Sequence, residues 1–357
     1  LNTLLLFFLF LALVAAATAN PADGPRKCAR CGEWITGEYI QAGDKVFHPW
    51  CFYCDACGEP ITGNYIEHEG KFYHESCYIE RFAPRCAYCG KPITGRYVNH
   101  EGKVYHDSCY SDHVAPRCVY CGLPIRGRFV ENEWGQMVHA GCRDLVRVCD
   151  SCGRFIPPGE GRLLPDGRVQ CDICRRTAVV SPVRARRIVV SADSILAKKG
   201  IHLKTPLEKI RIELIDRNRL ESMAGGGGDP HGMHYVRTES RNGRVIHEET
   251  TIYLLSDLPE ELLLAVAGHE LFHVWQHEHG ADGGDPAWRE GSANVAMFLV
   301  LRTLDSDFAA YQRRRLMATE DPVYGDGFRD ALNYYRQHGI QEFLRKVVKE
   351  VSGPRRD

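Results

Sequence analysis

No cysteine follows Cys174 in this chain of 357 residues, although 16 stand between Cys28 and that position. The absence divides the sequence into a cysteine-rich front and a cysteine-free back of about 180 residues, a common single-domain length. Charge of one sign is also missing. With 45 basic and 46 acidic side chains the formal net charge is -1, which leaves no field to recruit nucleic acid or an anionic membrane. Long apolar runs are absent too. The longest, Leu4 to Ala17, has fourteen residues, short of the roughly 20 that cross a bilayer as a helix but typical of an export-signal core. Ala17-Thr18-Ala19 fits the small-x-small cleavage rule. Residues 1–19 therefore read as a signal peptide and 20–27 as a linker. The expected mature chain is exported, periplasmic or secreted, with no stable membrane span; the alternative is an anchor through residues 4–17.

The front half repeats itself. Five units open Cys-x2-Cys-Gly and close sixteen to eighteen residues later with a second pair, His-x2-Cys four times and Cys-x2-Cys once. The units are Cys28, Cys31, His48, Cys51; Cys54, Cys57, His74, Cys77; Cys86, Cys89, His106, Cys109; Cys118, Cys121, His139, Cys142; and Cys149, Cys152, Cys171, Cys174. A Cys-x2-Cys knuckle turns its backbone N–H groups toward the thiolates, and the glycine that follows (Gly32, Gly58, Gly90, Gly122, Gly153) permits that turn. The stretch after each knuckle suggests a short β-hairpin with little core, so metal must supply stability that burial does not. A disulfide framework would have no use for the four histidines, whereas five four-ligand zinc sites use every cysteine and all four.

The first two units are separated by only two residues, a tandem that closely resembles a LIM domain over 28–77. The other three resemble LIM half-modules strung apart, over 86–109, 118–142 and 149–174. The resemblance implies binding of protein partners, as substrates or adaptors, and no chemistry of the modules' own.

In the back half, "RRTAVVSPVRARRIVV" reads as a solvated linker or first-helix face, and "SADSILAKKG" as a capped helix ending at Gly200. "EKIRIELIDR" and "ETTIYLLSDL" alternate as strands do, with a glycine-rich loop and turn between them. One β-sheet thus precedes two helices, within 178–357. The first long helix carries His-Glu-x-x-His. His269 and His273, at i and i+4, share a face and can hold one ion, with Glu270 aimed at a water on it.

The third ligand decides the class. His279 lies six residues after His273, but that spacing requires a tight glycine turn where the sequence has Gln276. His277 would string three ligands along one helix, which cannot surround a tetrahedral ion. The next helix opens at Asp285-Pro286 and carries Glu290, which an antiparallel return after a turn at 281–285 brings over the histidines. Asn294, one turn later, is placed to accept a hydrogen bond from a ligand imidazole. This is the gluzincin arrangement. The expected fold is multidomain, with small zinc-stabilised β-rich modules followed by an α+β gluzincin-type metallopeptidase domain.

"TIYLLSDLPEELLLAVAGHELFHVW", "REGSANVAMFL" and "DPVYGDGFRDALNYYRQHGIQEFL" resemble the peptidase domain of the plant LIM-domain peptidases that are activated by ubiquitin and limit organ growth, here as an exported, bacterial-type relative. The resemblance runs from about Cys149 to the C-terminus. It implies a zinc endopeptidase with His269, His273 and Glu290 as ligands and Glu270 as base. The sequence carries no ubiquitin-interacting helix, so ubiquitin activation is not carried over. The oxyanion donor is sought among His231, His234, Tyr235 and Tyr324, with Tyr324 preferred. The competing expectation is a zinc-module scaffold whose back half binds without catalysis.

Overall fold

The computed structural model describes residues 3–6, 15–18, 24–223, 231–241 and 244–352. The chain divides into two compact units, Leu1–Arg117 and Cys118–Asp357. The middle of the apolar run read as an export signal, residues 7–14, lies outside the described residues. Its described ends, Thr3–Leu6 and Ala15–Thr18, run as short strands antiparallel to Arg96–His100 and Glu38–Ala42. Among the described residues no helix is long and apolar enough to cross a membrane.

The first unit holds three zinc modules. Each carries a hairpin, formed by Glu38–Ala42 with Lys45–Phe47, Ile66–His68 with Lys71–Tyr73, and Arg96–His100 with Lys103–His106. The second and third end in short helices, α1 (Glu75–Phe82) and α2 (Asp107–His113). The first two modules share one core, in which Phe47, Phe52, Tyr65 and Phe72 touch with ring centroids 5.1–5.6 Å apart. Arg30 grips both oxygens of Asp55 across the pair, at 3.3 and 2.9 Å. The glycine after each second cysteine has φ between 69° and 78°, and its N–H closes the knuckle onto the first cysteine's carbonyl. Only a residue without Cβ takes that conformation at no steric cost.

The second unit begins at Cys118, so it takes in the last two modules as well as the cysteine-free half. After α3 (Asp172–Arg176), α4 runs over Pro182–Lys198, with the Ser181 side chain as cap and Pro182 in the first turn. Ala185, Ile188, Val189, Ala192 and Leu196 form its buried stripe, the 3.6-residue period of a core-facing helix. Of the arginine-rich stretch, Arg184 and Arg187 lie on the exposed face of this helix, Arg186 donates to the Leu207 and Ile210 carbonyls at 2.6 Å, and Arg175 and Arg176 belong to α3; the helix starts well before the segment read as helical. A three-stranded sheet follows. Arg211–Ile215 lies parallel to Arg244–Leu255, which pairs antiparallel with the edge strand Gly232–Arg241. That edge strand stands where a loop was expected. Its many polar residues suit an edge with one face on the protein, and a hydrophobic pattern does not reveal it.

Helix α5 (Arg217–Met223) joins the first strand to residues outside the described set. Helix α6 (Glu260–Glu278) ends at Gly280, with φ 67°, and α7 (Pro286–Leu301) begins behind the Asp285 cap. Then come α8 (Asp307–Ala318), a π-helical turn at Pro322–Asp326, and α9 (Gly327–Val351), kinked at Gly339. Twelve of the residues in α6 are buried, on all its sides.

The last zinc module holds the lead-in to α6. Arg168 and Asp166 form an ion pair, each side chain 4% exposed. Arg168 donates to the Ser256 carbonyl at 2.9 Å, and Gln170 donates to that of Asp257 at 2.7 Å. The chain leaving the module then forms a backbone ladder with the same segment, Val179 N–H to Leu258 and Asp257 N–H to Val179. On the far side, Gln312 of α8 donates to the Ser151 carbonyl at 2.7 Å. Burial opposes ionisation of Asp166, but hydrogen bonds from Arg168 and the Arg217 backbone hold it down to about 2. Removing one member of such a pair strands the other in the interior. Asp166→Ala should therefore destabilise the second unit by about 3–5 kcal/mol in urea unfolding of the full chain. A loss below about 1 kcal/mol would mean that the module merely touches the unit.

Candidate metal centre

Two kinds of ligand set are present, and their histidines face in opposite senses. In each of the five cysteine units the four ligand atoms lie within 4.8 Å of one another. All 16 cysteines are free of disulfides. His48, His74, His106 and His139 turn Nδ1 toward the thiols, 3.4–3.5 Å from Cys31, Cys57, Cys89 and Cys121 respectively. Their Nε2 atoms lie 3.0–3.3 Å from the carbonyls of Trp34, Pro60, Pro92 and Pro124. In the last unit Cys152 and Cys171 are 3.7 Å apart. Tetrahedral zinc, with bonds of about 2.3 Å to sulfur and 2.0–2.1 Å to nitrogen, spaces its ligand atoms about 3.5–3.8 Å apart. The cysteine and histidine groups fit zinc. Burial opposes ionisation of Cys28, Cys54, Cys86 and Cys118, yet backbone N–H donors bring each down to about 6. Thiolate is the form a metal binds.

The second kind lies between α6 and α7. These helices run antiparallel because the turn between them is short and Asp285 caps the return, its carboxylate accepting the Ala287 N–H at 3.0 Å. His269 and His273 lie one helical turn apart with their Nε2 atoms 3.0 Å from each other. Oε2 of Glu290 lies 3.5 Å from the first and 3.3 Å from the second. Ligand atoms on one tetrahedral zinc would be about 3.3 Å apart, so the trio fits such an ion. Burial disfavours the Glu290 carboxylate, but the two imidazoles hold it ionised, far below the usual range.

Each imidazole is braced through its other nitrogen. His269 Nδ1 donates to Asn294 Oδ1 at 3.0 Å, as the spacing predicts. His273 Nδ1 donates to Gln276 Oε1 at 2.7 Å, a partner that sequence reasoning missed. Gln276 is fully buried, and its amide donates to the Arg289 carbonyl and the Ser292 hydroxyl, each at 2.9 Å. In the sequence it served only to exclude a glycine turn; the signal it carried was a second polar residue on the buried side of an apolar helix.

Glu270 is 4% exposed. Burial raises its pKa to about 7, against the pull of His273 and a backbone hydrogen bond from His234. The edge strand closes on it: a Cβ at Gly232 would meet Glu270 Oε1 at 2.7 Å. Tyr324 sits on the π-helical turn, where Asn294 donates to its carbonyl at 3.0 Å. Its phenol is raised above its ordinary range by burial and then by the charge of Glu290. His234 is kept neutral, lowered to about 3 by burial and by His273 and His277, and its Nε2 is sealed from solvent.

The remaining candidates lie apart from the trio. His277 binds Asp282 and Glu248, at 2.7 and 3.3 Å. His279 stacks on Trp275 and donates to its carbonyl at 2.7 Å, closing the end of α6. Tyr235 alternates to the strand face opposite His234, 6.4 Å from the Tyr253 ring. The backbone of His231 accepts from the Leu255 N–H at 2.9 Å.

The LIM domain family matches residues 28–82, the double module together with α1. Protein DA1-related 1 of Arabidopsis thaliana is 24% identical over 267 residues, 57% of this chain and 47% of that protein. Protein DA1 of the same plant is 23% identical over 265 residues, 57% of this chain and 49% of its own length. The chain thus contains a LIM domain and is distantly similar to the DA1 proteins, spanning about half the length of the curated relatives it matches.

The bracing defines an order of metal affinity. Glu290→Ala should abolish tight zinc binding at the trio. Asn294→Ala and Gln276→Ala should each weaken it about 10–100-fold, and His279→Ala should leave it unchanged. Competition titration against a chromogenic chelator reads the series; a metal lost with His279 and kept without Glu290 would reverse the ligand assignment.

Proposed function

We propose that the second unit is a zinc-dependent endopeptidase and that the LIM and LIM-like modules bind its protein substrates or adaptors. The observation that carries this reading is the convergence of three braced ligand atoms 3.0–3.5 Å apart, with a buried carboxyl at the adjacent position, Glu270. A zinc ion held by His269, His273 and Glu290 would supply Lewis acidity, polarising a peptide carbonyl and acidifying a water.

The chain's own groups do the rest. Glu270, raised toward neutrality, takes a proton from the attacking water and delivers it to the leaving amine. Asn294 and Gln276 keep both imidazoles in the tautomer that presents Nε2. Tyr324, 45% exposed, is open to a substrate and serves as hydrogen-bond donor to the developing oxyanion. His234 serves less well, because its free nitrogen is closed to solvent. The strand Gly232–Arg241, at the sheet edge beside Glu270, offers backbone groups along which an extended peptide can lie.

Glu270→Gln keeps the shape and removes the base. With zinc loaded, the variant should retain its metal while cleavage of a broad peptide library falls about 10²–10⁴-fold. Equal inertness of both proteins toward the library would favour the non-catalytic scaffold instead.

A further inference from the structure

Arg289 precedes Glu290 and shares its carboxylate. Its Nε lies 3.1 Å from Oε1, while Oε2 faces the two imidazoles. The backbone at this point is held on both sides: the N–H donates to the Asp285 carbonyl at 3.0 Å, and the carbonyl accepts from buried Gln276 at 2.9 Å. The side chain thus departs from a fixed origin and is tied again at Nε. It is 39% exposed, and among the described residues neither terminal nitrogen has a partner. Its charge also acts on the Tyr324 phenol, against the effect of burial.

An isolated surface arginine is ordinarily just solvated. This one is bonded to the carboxylate beside the imidazoles, and supporting that carboxylate occupies only one of its five N–H donors. What is left is a planar fork at a set angle, the arrangement that grips a carboxylate with two parallel hydrogen bonds. The Glu290 carboxylate, the Nε–Oε1 contact of 3.1 Å, the fork and a second hydrogen bond place a bound anion at most roughly 12 Å from the trio's centre along that path, and nearer in a straight line. An extended peptide advances about 3.3 Å per residue, so the anion belongs to a residue within a few positions of the scissile bond.

We propose that Arg289 selects peptides bearing a carboxylate near the cleaved bond, an acidic side chain or a terminal carboxylate. The inference rests on the peptidase reading, so its test includes a measurement without turnover. Peptide pairs differing by one Glu/Gln exchange at each position flanking the bond, with free and amidated C-termini, are given to the zinc-loaded full chain. The quantity read is the ratio of kcat/KM for the acidic peptide to that for its neutral twin. Wild type should favour the acidic peptide about 10–100-fold, mostly through KM. Arg289→Gln should bring the ratio close to one with zinc content unchanged, and Arg289→Lys should fall between. A preference that follows C-terminal amidation rather than the Glu/Gln exchange supports the anchor and identifies the terminal carboxylate as the bound group. A ratio untouched by Arg289→Gln, or a variant that only loses zinc, overturns it.

Binding of the labelled pairs to zinc-loaded Glu270→Gln, with and without Arg289→Gln, separates the two readings. Acidic preference in binding without any cleavage by wild type would sink the peptidase and keep the anchor. Cleavage with no acidic preference in either measurement would do the reverse.

Discussion

For the Glu290 carboxylate to reach two imidazoles on the preceding helix after so short a turn, α7 must return antiparallel to α6 and in close register with it. The second unit is organised around that requirement. The register of α6 and α7 is set by a short turn, by the Asp285 cap and by Gln276, which spans the two helices through the Arg289 carbonyl and the Ser292 hydroxyl. Asn294 extends the same chain of contacts to the turn that carries Tyr324. Gln276, Ser292 and Asn294 are buried, and each finds its partner inside, while the Asp285 cap stands in solvent. The same buried contacts that align the helices also orient the imidazoles.

Much of this was legible in the sequence because it depends on local spacing. Two histidines four apart share a face on any helix, and a proline behind an aspartate marks where the next helix starts. Glu290 and Asn294 follow once those helices are antiparallel, and the structure brings both to His269 and His273. Gln276 was not read as a brace, although it stands three residues from His273 on the same helix; what fixes its amide, the Arg289 carbonyl and the Ser292 hydroxyl, comes from α7. The edge strand Gly232–Arg241 was hidden by its polar composition, since only one of its faces rests on protein. The extent of the second unit was hidden as well. Cysteine content divides the chain after Cys174, whereas Arg168, Gln170 and Gln312 make contacts that composition does not register.

The two ways of presenting histidine follow from what each site must do. In the modules the imidazole offers Nδ1, the nitrogen nearer the backbone, while a carbonyl engages Nε2. That draws the ligands into a tight four-sided shell with no position left over, which suits a fold-stabilising ion. Between α6 and α7 the imidazoles offer Nε2, the nitrogen farther out, and the protein contributes three ligand atoms instead of four. A tetrahedral ion held there would keep a fourth position for a ligand that comes and goes. The module surfaces leave large side chains such as Trp34 and Trp50 exposed, 53% and 73%, and large aromatic side chains of this kind are favoured at protein interfaces.

Helix α6 is buried on nearly every side. Such a helix has almost no position at which a change of residue is free, since each side chain meets a neighbour that fits it. Divergence within a lineage built on this architecture would then be channelled elsewhere. Among the described residues, exposed places bordering the trio include the edge strand, the first turn of α7 with Arg289 and the turn bearing Tyr324. If the proposed peptidase reading holds, descendants could acquire new peptide preferences by rewriting those margins while the helix between them stays the same, so the chemistry would be inherited and the diet would evolve.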